Sequence, residues 1–257
     1  MPDDLHTLNP TGRFTDRAAD YDRCRPGYPE AAIDMLLARR GDPAPLTVAD
    51  VGAGTGILSR ALARRGATII AIEPNDAMRA AASPAAGVRW VAATGEATGL
   101  EPASVDLVTC AQAFHWLRPD EAIAEFCRIL KPGGRIALLW NIGDERDPVT
   151  RGYYDAIRRA SDGFTSSHGR IGDAPLEHPL LCAQERHILP NAQQLDVEGL
   201  IGRALSASYV PRHQDSPQRA RLIEDLRALH HRYTGADGTV ALVYETRIHL
   251  AVSRASR

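Results

Sequence analysis

From Thr47 onward, short apolar runs alternate with segments in which apolar residues recur at helical spacing. The runs predict five strands, at Thr47–Val51, Thr68–Ile72, Val88–Ala92, Val105–Cys110 and Arg135–Asn141. The segments between them predict helices at Ile57–Arg65, from Asn75 or Asp76 to about Ala82, and at Pro119–Leu130. Strands that alternate with helices in this way are typical of an α/β fold with a parallel sheet covered on both faces.

The pattern becomes less regular after Asn141. It predicts helices at Val149–Ser161, Leu195–Ser206 and Gln218–Tyr233, a short strand at Arg186–Leu189 and a long strand at Thr239–Ala251. Residues 162–179 are rich in Gly, Pro, Ser and His, which indicates an irregular surface segment. We therefore predict a helical segment over 1–45 and one α/β domain over 46–257, with substrate-side insertions within 142–235.

Composition narrows the class of protein. The 257 residues are 44% hydrophobic and 24% charged, with a net charge of -2, which excludes a strongly cationic nucleic-acid binder and a disordered acidic chain. Lys131 is the only lysine, a bias that we attribute to codon usage. The apolar runs are too short to span a membrane, and the N-terminus does not resemble a signal peptide. We expect a cytoplasmic protein without a membrane or nucleic-acid partner.

The four cysteines show no pattern of a metal site or a redox pair. Cys24, Cys110, Cys127 and Cys182 are far apart, and none has a histidine at metal-binding spacing. We expect all four to be buried, small apolar residues, and we expect no bound metal.

A glycine-rich turn, Asp50–Gly56, follows the first predicted strand and begins a helix. In α/β sheets, ligands bind at this place, the carboxyl end of the strands. A dinucleotide fingerprint would need glycine at position 57, where the chain has Ile57. Glu73 ends the second strand and can accept hydrogen bonds from ribose hydroxyls, so the turn and the acid together indicate an adenosine ligand.

These motifs resemble class I S-adenosylmethionine-dependent methyltransferases. Asp50–Gly56 is similar to their first motif, Glu73 to their ribose-binding acid and Glu96 to the residue beside the adenine, while Val105–Val108 and Leu130–Arg135 match later motifs. The resemblance implies a Rossmann-like fold: a mostly parallel seven-stranded sheet with an antiparallel last strand and an N-terminal helical lid. It implies that S-adenosylmethionine is bound by Asp50, Gly52, Ala53, Gly54, Gly56, Glu73, Pro74, Glu96, Ala97 and Gln112.

Two further segments narrow the resemblance. Residues 13–29, which include Arg25-Pro26 and Tyr28-Pro29, and the run Ala111–Trp116 are similar to the branch that contains trans-aconitate methyltransferases and related small-acid methyltransferases. This implies a small-molecule acceptor but does not identify it.

His115 follows the fourth strand and is the candidate catalytic residue. An unperturbed histidine titrates near neutral pH, so His115 can serve as a base for a hydroxyl acceptor. Alternatively, it shapes the pocket together with Phe114 and Trp116. We expect Gln112 to orient the cofactor or its loop, and Asn141 to lie on the substrate side.

Phe14, Ala18, Tyr21 and Arg25 recur at helical spacing near the N-terminus. Their helix either docks on the sheet edge or forms a lid in which Tyr21, Arg25 and Tyr28 close over the site. Arg25 can pair with an acidic acceptor or with the carboxylate of the cofactor.

The sequence thus predicts a methyltransferase, monomeric or homodimeric, that methylates a small molecule, with a carboxylate or hydroxyl oxygen favoured. One alternative is a binding or regulatory protein that keeps the cofactor fold without transferring methyl groups. A nucleotide-dependent oxidoreductase is the other.

Overall fold

The computed structural model describes residues 24–38, 45–161, 178–207, 210 and 216–254. The strands are β1 (Thr47–Val51), β2 (Thr68–Ile72), β3 (Val88–Val91), β4 (Val105–Ala111), β5 (Leu130–Gly143), β6 (Leu181–Leu195) and β7 (Val240–Ser253). The helices are α1 (Glu30–Leu37), α2 (Ile57–Arg64), α3 (Asp76–Ala80), α4 (Pro119–Ile129), α5 (Pro148–Ala160), α6 (Val197–Leu205) and α7 (Pro217–Tyr233). A 3₁₀ turn, Phe114–Trp116, follows β4.

The strands form one seven-stranded sheet in the order β3-β2-β1-β4-β5-β7-β6. Strands β1 to β5 pair in parallel, whereas β7 is antiparallel to both β5 and β6. The predicted α/β class is confirmed, as are the mostly parallel seven-stranded sheet and the antiparallel last strand.

Alternate residues of β5 enter cores on opposite faces of the sheet. Ile136, Leu138 and Trp140 pack with buried residues of α4, whereas Ala137 and Leu139 pack with those of α1 and α2. A strand that is buried on both faces needs apolar side chains at nearly every position. This is why the central strands were recognisable as continuous apolar runs.

A second group of helices packs on the amino-terminal half of β7. Buried residues of α5, α6 and α7 form one cluster with Val240, Leu242 and Tyr244. This helical layer is built from the predicted insertion, and it stands beside the carboxyl edge of the parallel strands. Among the described residues, no helix combines the length and hydropathy needed to cross a bilayer.

Several element boundaries differ from the predictions, and those of β5, β6 and α6 have identifiable causes. β5 begins at Leu130 rather than Arg135, because Leu130 pairs with Val105 before the register shifts at the glycine-containing turn. β6 extends over Leu181–Leu195, since its backbone pairs along β7 although many of its side chains are exposed at the sheet edge. Helix α6 begins at Val197 because Asp196 caps it by accepting a hydrogen bond from the Gly199 backbone N–H.

The cysteines are less uniform than predicted. Cys24 and Cys110 are buried, but Cys127 and Cys182 are half-buried. Cys127 lies near the edge of the α4 core and Cys182 on the edge strand β6, where neighbouring elements cover only one side.

Candidate active site

A cleft opens at the carboxyl edge of the parallel strands, with about 530 Å³ of empty space, including the part open to solvent. Four parts of the chain contribute to it: the segment 25–28, the glycine turn, the ends of β4 and β5, and helix α6. The lining residues are Arg25, Pro26, Tyr28, Asp50, Gly52, Ala53, Gly54, Thr55, Ile57, Leu58, Ala111, Gln112, Asn141 and Arg203.

The backbone conformation and close packing of the turn explain why glycines occur there. Gly52, Gly54 and Gly56 all have positive φ values, of 65°, 59° and 81°. A Cβ on Gly52 would lie 2.5 Å from the Cβ of Ala113 in the loop after β4. Gly56, predicted to bind the cofactor, is the N-cap residue of α2, and a Cβ there would lie 3.1 Å from the ring of Trp90. The close approach at Gly52 therefore brings the loops after β1 and β4 together.

Asp50 is buried beneath the turn and lines the cleft. Its carboxylate accepts hydrogen bonds from Ser59 Oγ at 2.5 Å and Thr109 Oγ1 at 2.8 Å. Burial raises the pKa of Asp50 from 3.8 to about 6, although both hydroxyls oppose the shift. The cleft therefore holds a carboxylate that titrates closer to neutrality than an exposed aspartate.

This raised pKa predicts a pH-dependent stability difference between the wild type and Asp50→Asn. The folded protein holds the Asp50 proton more tightly than the unfolded chain does. The protonated side chain therefore stabilises the folded state fully below pH 3.8, and this stabilisation is lost as pH rises through about 6. Asparagine does not titrate. From pH 4 to 8, the unfolding free energy of Asp50→Asn should rise relative to the wild type by roughly 2 kcal/mol. Urea unfolding at both pH values measures it.

The matched control is Glu224→Gln, on the exposed side of α7. Its unfolding free energy should follow the wild type at both pH values. A constant difference between Asp50→Asn and the wild type from pH 4 to 8 would contradict the raised pKa.

Glu73 joins the end of β2 to the glycine turn. Its Oε2 accepts a hydrogen bond from the Gly54 backbone N–H at 2.9 Å, and its Oε1 accepts one from the Asn75 backbone N–H at 2.9 Å. The residue is only 8% exposed, and burial raises its pKa while these bonds and Arg79 oppose the shift. Since each carboxylate oxygen has two lone pairs, Glu73 retains acceptor capacity for two ligand hydroxyls.

Glu73 contacts the glycine turn but does not itself line the cleft, and the other residues predicted near the adenosine also lie outside its lining. Pro74 follows Glu73 directly and is half-buried. Glu96 lies in the loop between β3 and β4, and its Oε1 accepts a hydrogen bond from the Arg118 backbone N–H at 3.0 Å. Ala97 is exposed.

Gln112 occupies a strained position at the end of β4. Its φ is 58°, in the left-handed region that non-glycine residues rarely adopt. Its backbone N–H donates to the Leu139 carbonyl at 2.9 Å, and its side-chain Nε2 approaches the Asn141 carbonyl at 3.4 Å. Strain of this kind persists where neighbouring bonds enforce it, often at functional sites.

The three aromatic residues after Gln112 differ in position. His115 and Trp116 are half-buried, and their ring centroids lie 5.0 Å apart. Phe114, predicted on the substrate side, is buried in the core, with its ring centroid 6.4 Å from that of Phe126. Phe114 anchors the turn that carries His115 instead of lining the cleft.

The segment 24–29 is fastened across the cleft by side-chain amides. The Gly27 carbonyl accepts hydrogen bonds from Asn141 Nδ2 and Asn191 Nδ2, both at 3.0 Å. Asn141 Oδ1 in turn accepts hydrogen bonds from Thr246 Oγ1 at 2.6 Å and Asn191 Nδ2 at 3.2 Å. Strands β5, β6 and β7 thus hold this segment in place.

The predicted lid is described only in its second part. Phe14 and Tyr21 lie outside the described residues, whereas Arg25 and Tyr28 line the cleft. Arg25 Nη2 donates to the Ser206 carbonyl at 3.0 Å, and Gln193 Nε2 donates to the Cys24 carbonyl at 3.1 Å. These bonds connect the segment to α6 and β6.

Sequence reasoning missed Arg203, which lines the cleft from α6. Its neighbours on the buried face of the helix include Leu200, Ile201 and Ala204. The signal was an arginine in the middle of an apolar stripe at helical spacing. Asn191 was missed because nothing local relates the edge strand to Gly27.

Comparisons with known proteins agree with this site. Residues 49–138 match a family model described as a methyltransferase domain. An uncharacterized methyltransferase of Mycobacterium tuberculosis is 35% identical over 245 residues, which is 91% of this chain and 92% of that protein. An uncharacterized methyltransferase of Schizosaccharomyces pombe is 36% identical over 137 residues, 52% of this chain and 55% of that protein.

A solved structure of a protein named as a type II methyltransferase, from Anaeromyxobacter dehalogenans, has the same architecture. It superposes with a TM-score of 0.63 at 28% sequence identity, covering 90% of this chain and 97% of the other. The similarity therefore extends over most of the chain.

Proposed function

Because the chain belongs to the methyltransferase family, we propose that it transfers methyl groups from S-adenosylmethionine to a small-molecule acceptor, with a carboxylate or hydroxyl oxygen favoured. The observation that carries this proposal is the hydrogen bond between the Gly54 backbone N–H and Glu73, which joins the glycine turn to the acid at one edge of the sheet. The branch that contains trans-aconitate methyltransferases remains a prediction.

The residues of the cleft, together with Glu73 behind the glycine turn, fit the cofactor. Glu73 retains acceptor sites for the two ribose hydroxyls, and Asp50 offers a buried carboxylate to a ligand that carries positive charge. Gly52 and Gly54 keep the backbone of the turn clear of side-chain atoms beside the cleft. Arg25 lines the same cleft and is proposed to pair with the carboxylate of the cofactor.

When bound, S-adenosylmethionine supplies an electrophilic methyl group on a sulfonium. The contribution of the protein is to hold the acceptor in line and to exclude water, and such positioning can supply much of the rate acceleration. The segment 24–29, fastened by Asn141 and Asn191, is proposed to cover the site. Tyr28 and Arg25 then form the wall nearest the glycine turn.

His115 is proposed to accept the proton when the acceptor is a hydroxyl, since a carboxylate is already ionised at neutral pH. Its position in the 3₁₀ turn after β4, three residues beyond the cleft residue Gln112, supports this role. With a hydroxyl acceptor, His115→Ala should lower turnover and flatten its pH profile while leaving the affinity for S-adenosylhomocysteine within about twofold. Equal losses in turnover and affinity would indicate a packing role.

Binding of S-adenosylhomocysteine to the purified protein, measured by calorimetry, tests the proposed cofactor. We expect saturable binding with a dissociation constant in the micromolar range, about -8 kcal/mol at 1 μM. Absence of binding at millimolar concentration, together with fluorescence quenching by NADH, would favour an oxidoreductase instead.

A second measurement separates transfer from binding alone. Radiolabelled methyl groups from S-adenosylmethionine should enter small molecules of an acceptor extract. Tight cofactor binding without any transfer would support the alternative of a binding or regulatory protein.

A further inference from the structure

Arg203 combines burial with access to the cleft. It is 5% exposed, in a helix whose other buried residues are Leu200, Ile201 and Ala204. Burying an ionised guanidinium costs free energy unless anionic or polar groups surround it. An apolar side chain would satisfy the packing of this face at lower cost. Arg203 therefore places a buried guanidinium among the groups that line the cleft.

Arg25 lines the same cleft and contacts the end of the helix that carries Arg203. Its Nη2 donates to the Ser206 carbonyl, one helical turn beyond Arg203, at 3.0 Å. A guanidinium has five N–H donors, so contacts with the protein leave further donors for a ligand. Two guanidiniums at one end of a small cleft form an arrangement suited to carboxylates.

The charges around the cleft favour an anionic acceptor. Among the described lining residues, the side chains that can carry charge near neutral pH are Asp50 and the two arginines. S-adenosylmethionine, with a sulfonium, an ammonium and one carboxylate, would add net positive charge. In a poorly solvated site these charges interact strongly, so a negative group on the acceptor is stabilised and a cationic acceptor is disfavoured.

We propose that Arg203 binds a carboxylate of the methyl acceptor and thereby determines specificity. A guanidinium that holds both oxygens of a carboxylate reduces their nucleophilicity, so the bound group is an anchor and a different oxygen receives the methyl group. The acceptor class is then a small dicarboxylate or hydroxy acid. This inference rests on the proposed function, and it assigns Arg25 to the cofactor and Arg203 to the acceptor.

Titration of the S-adenosylhomocysteine-loaded protein with malonate, succinate and glycolate tests the anchor, with the corresponding amides as neutral matches. The side-chain Nε–H signals of arginine are followed by NMR at constant ionic strength, and the Arg203 signal is assigned by its loss in Arg203→Met. At least one carboxylate should shift this signal with saturation below about 20 mM, while its amide binds at least about tenfold more weakly. If no carboxylate shifts the signal, or if the amides act equally, the proposal is wrong.

Variants separate acceptor recognition from cofactor recognition. In Arg203→Met, the NMR signals of the other arginines should show no saturable response to carboxylates. In Arg203→Lys, these signals should show a weaker response than in the wild type. Both should bind S-adenosylhomocysteine within about twofold of the wild type. The control is Arg227→Met on the exposed side of α7, which should change neither affinity.

A comparison of two cofactor analogues shows whether Arg203 binds the cofactor instead of the acceptor. 5′-Methylthioadenosine lacks the amino-acid carboxylate. If Arg203→Met lost affinity for S-adenosylhomocysteine but not for 5′-methylthioadenosine, Arg203 would hold the cofactor and the acceptor proposal would fall. Failure of the wild type to bind S-adenosylhomocysteine would instead contradict the proposed function, and titration of carboxylates against the unloaded protein would still test the anion site.

Discussion

Gly52→Ala should unfold with roughly 2–5 kcal/mol less free energy than the wild type and should bind S-adenosylhomocysteine poorly. Two costs add. A side chain at φ 65° is strained by about 1–2 kcal/mol. In addition, the new Cβ would lie 2.5 Å from the Cβ of Ala113, and such overpacking costs about 1–3 kcal/mol. Urea unfolding and calorimetry with S-adenosylhomocysteine measure the two consequences.

The expected loss of affinity for S-adenosylhomocysteine follows from the position of Ala113 in the loop after β4. It lies between the strained Gln112 and the turn that carries His115, so any displacement of Ala113 moves both. The turn and this loop line the same cleft, and a shift of either misplaces groups around the ligand.

Two variants distinguish the clash from the backbone strain. Gly66→Ala is the matched control, because Gly66 has φ 89° and its Cβ would meet no atom within 4 Å. It should lose only the strain, about 1–2 kcal/mol, and should keep normal affinity. Adding Ala113→Gly to Gly52→Ala should restore about 1–3 kcal/mol relative to the sum of the single changes. Additive single changes would show that the contact with Ala113 is unimportant.

The sequence predicted the part of this fold that is buried on both faces. The runs Thr68–Ile72 and Val105–Cys110 are apolar because helices cover them on each side, and each prediction came within one residue of the observed strand. The edge strand β6 was underestimated. Its pairing with β7 continues through exposed positions such as Glu185 and Gln194, which carry no apolar signal.

The candidate site was predictable where its residues form motifs with a characteristic spacing in the sequence. The turn Asp50–Gly56 and the acid Glu73 have a recognisable spacing, and the structure joins them by a hydrogen bond. Contacts between distant residues, such as that of Asn191 with Gly27, have no local signature. Phe114 was misplaced because an aromatic residue after a strand can turn into the core or into the cleft, and only the packing against Phe126 decides between them.

Glu73→Ala should bind S-adenosylhomocysteine at least tenfold more weakly than the wild type. The variant loses the acceptors proposed for both ribose hydroxyls, roughly 1–3 kcal/mol combined. It also removes the partner of the Gly54 backbone N–H, so the glycine turn loses a bond that fixes its conformation. Calorimetry gives the affinity, and urea unfolding reports the separate loss of stability.

Asp76→Ala is the matched control, because it removes a nearby carboxylate whose side chain is 91% exposed. Its affinity for S-adenosylhomocysteine should equal that of the wild type, which excludes a general effect of local charge.

The 2′,3′-dideoxy analogue of S-adenosylhomocysteine isolates the ribose contacts from the conformation of the turn. The wild type should bind this analogue at least tenfold more weakly than S-adenosylhomocysteine, whereas Glu73→Ala should bind the two ligands with nearly equal affinity. If Glu73→Ala discriminated between the ligands as strongly as the wild type, Glu73 would act only through the Gly54 and Asn75 backbone groups that it binds. The ribose would then have to be recognised by other residues of the cleft.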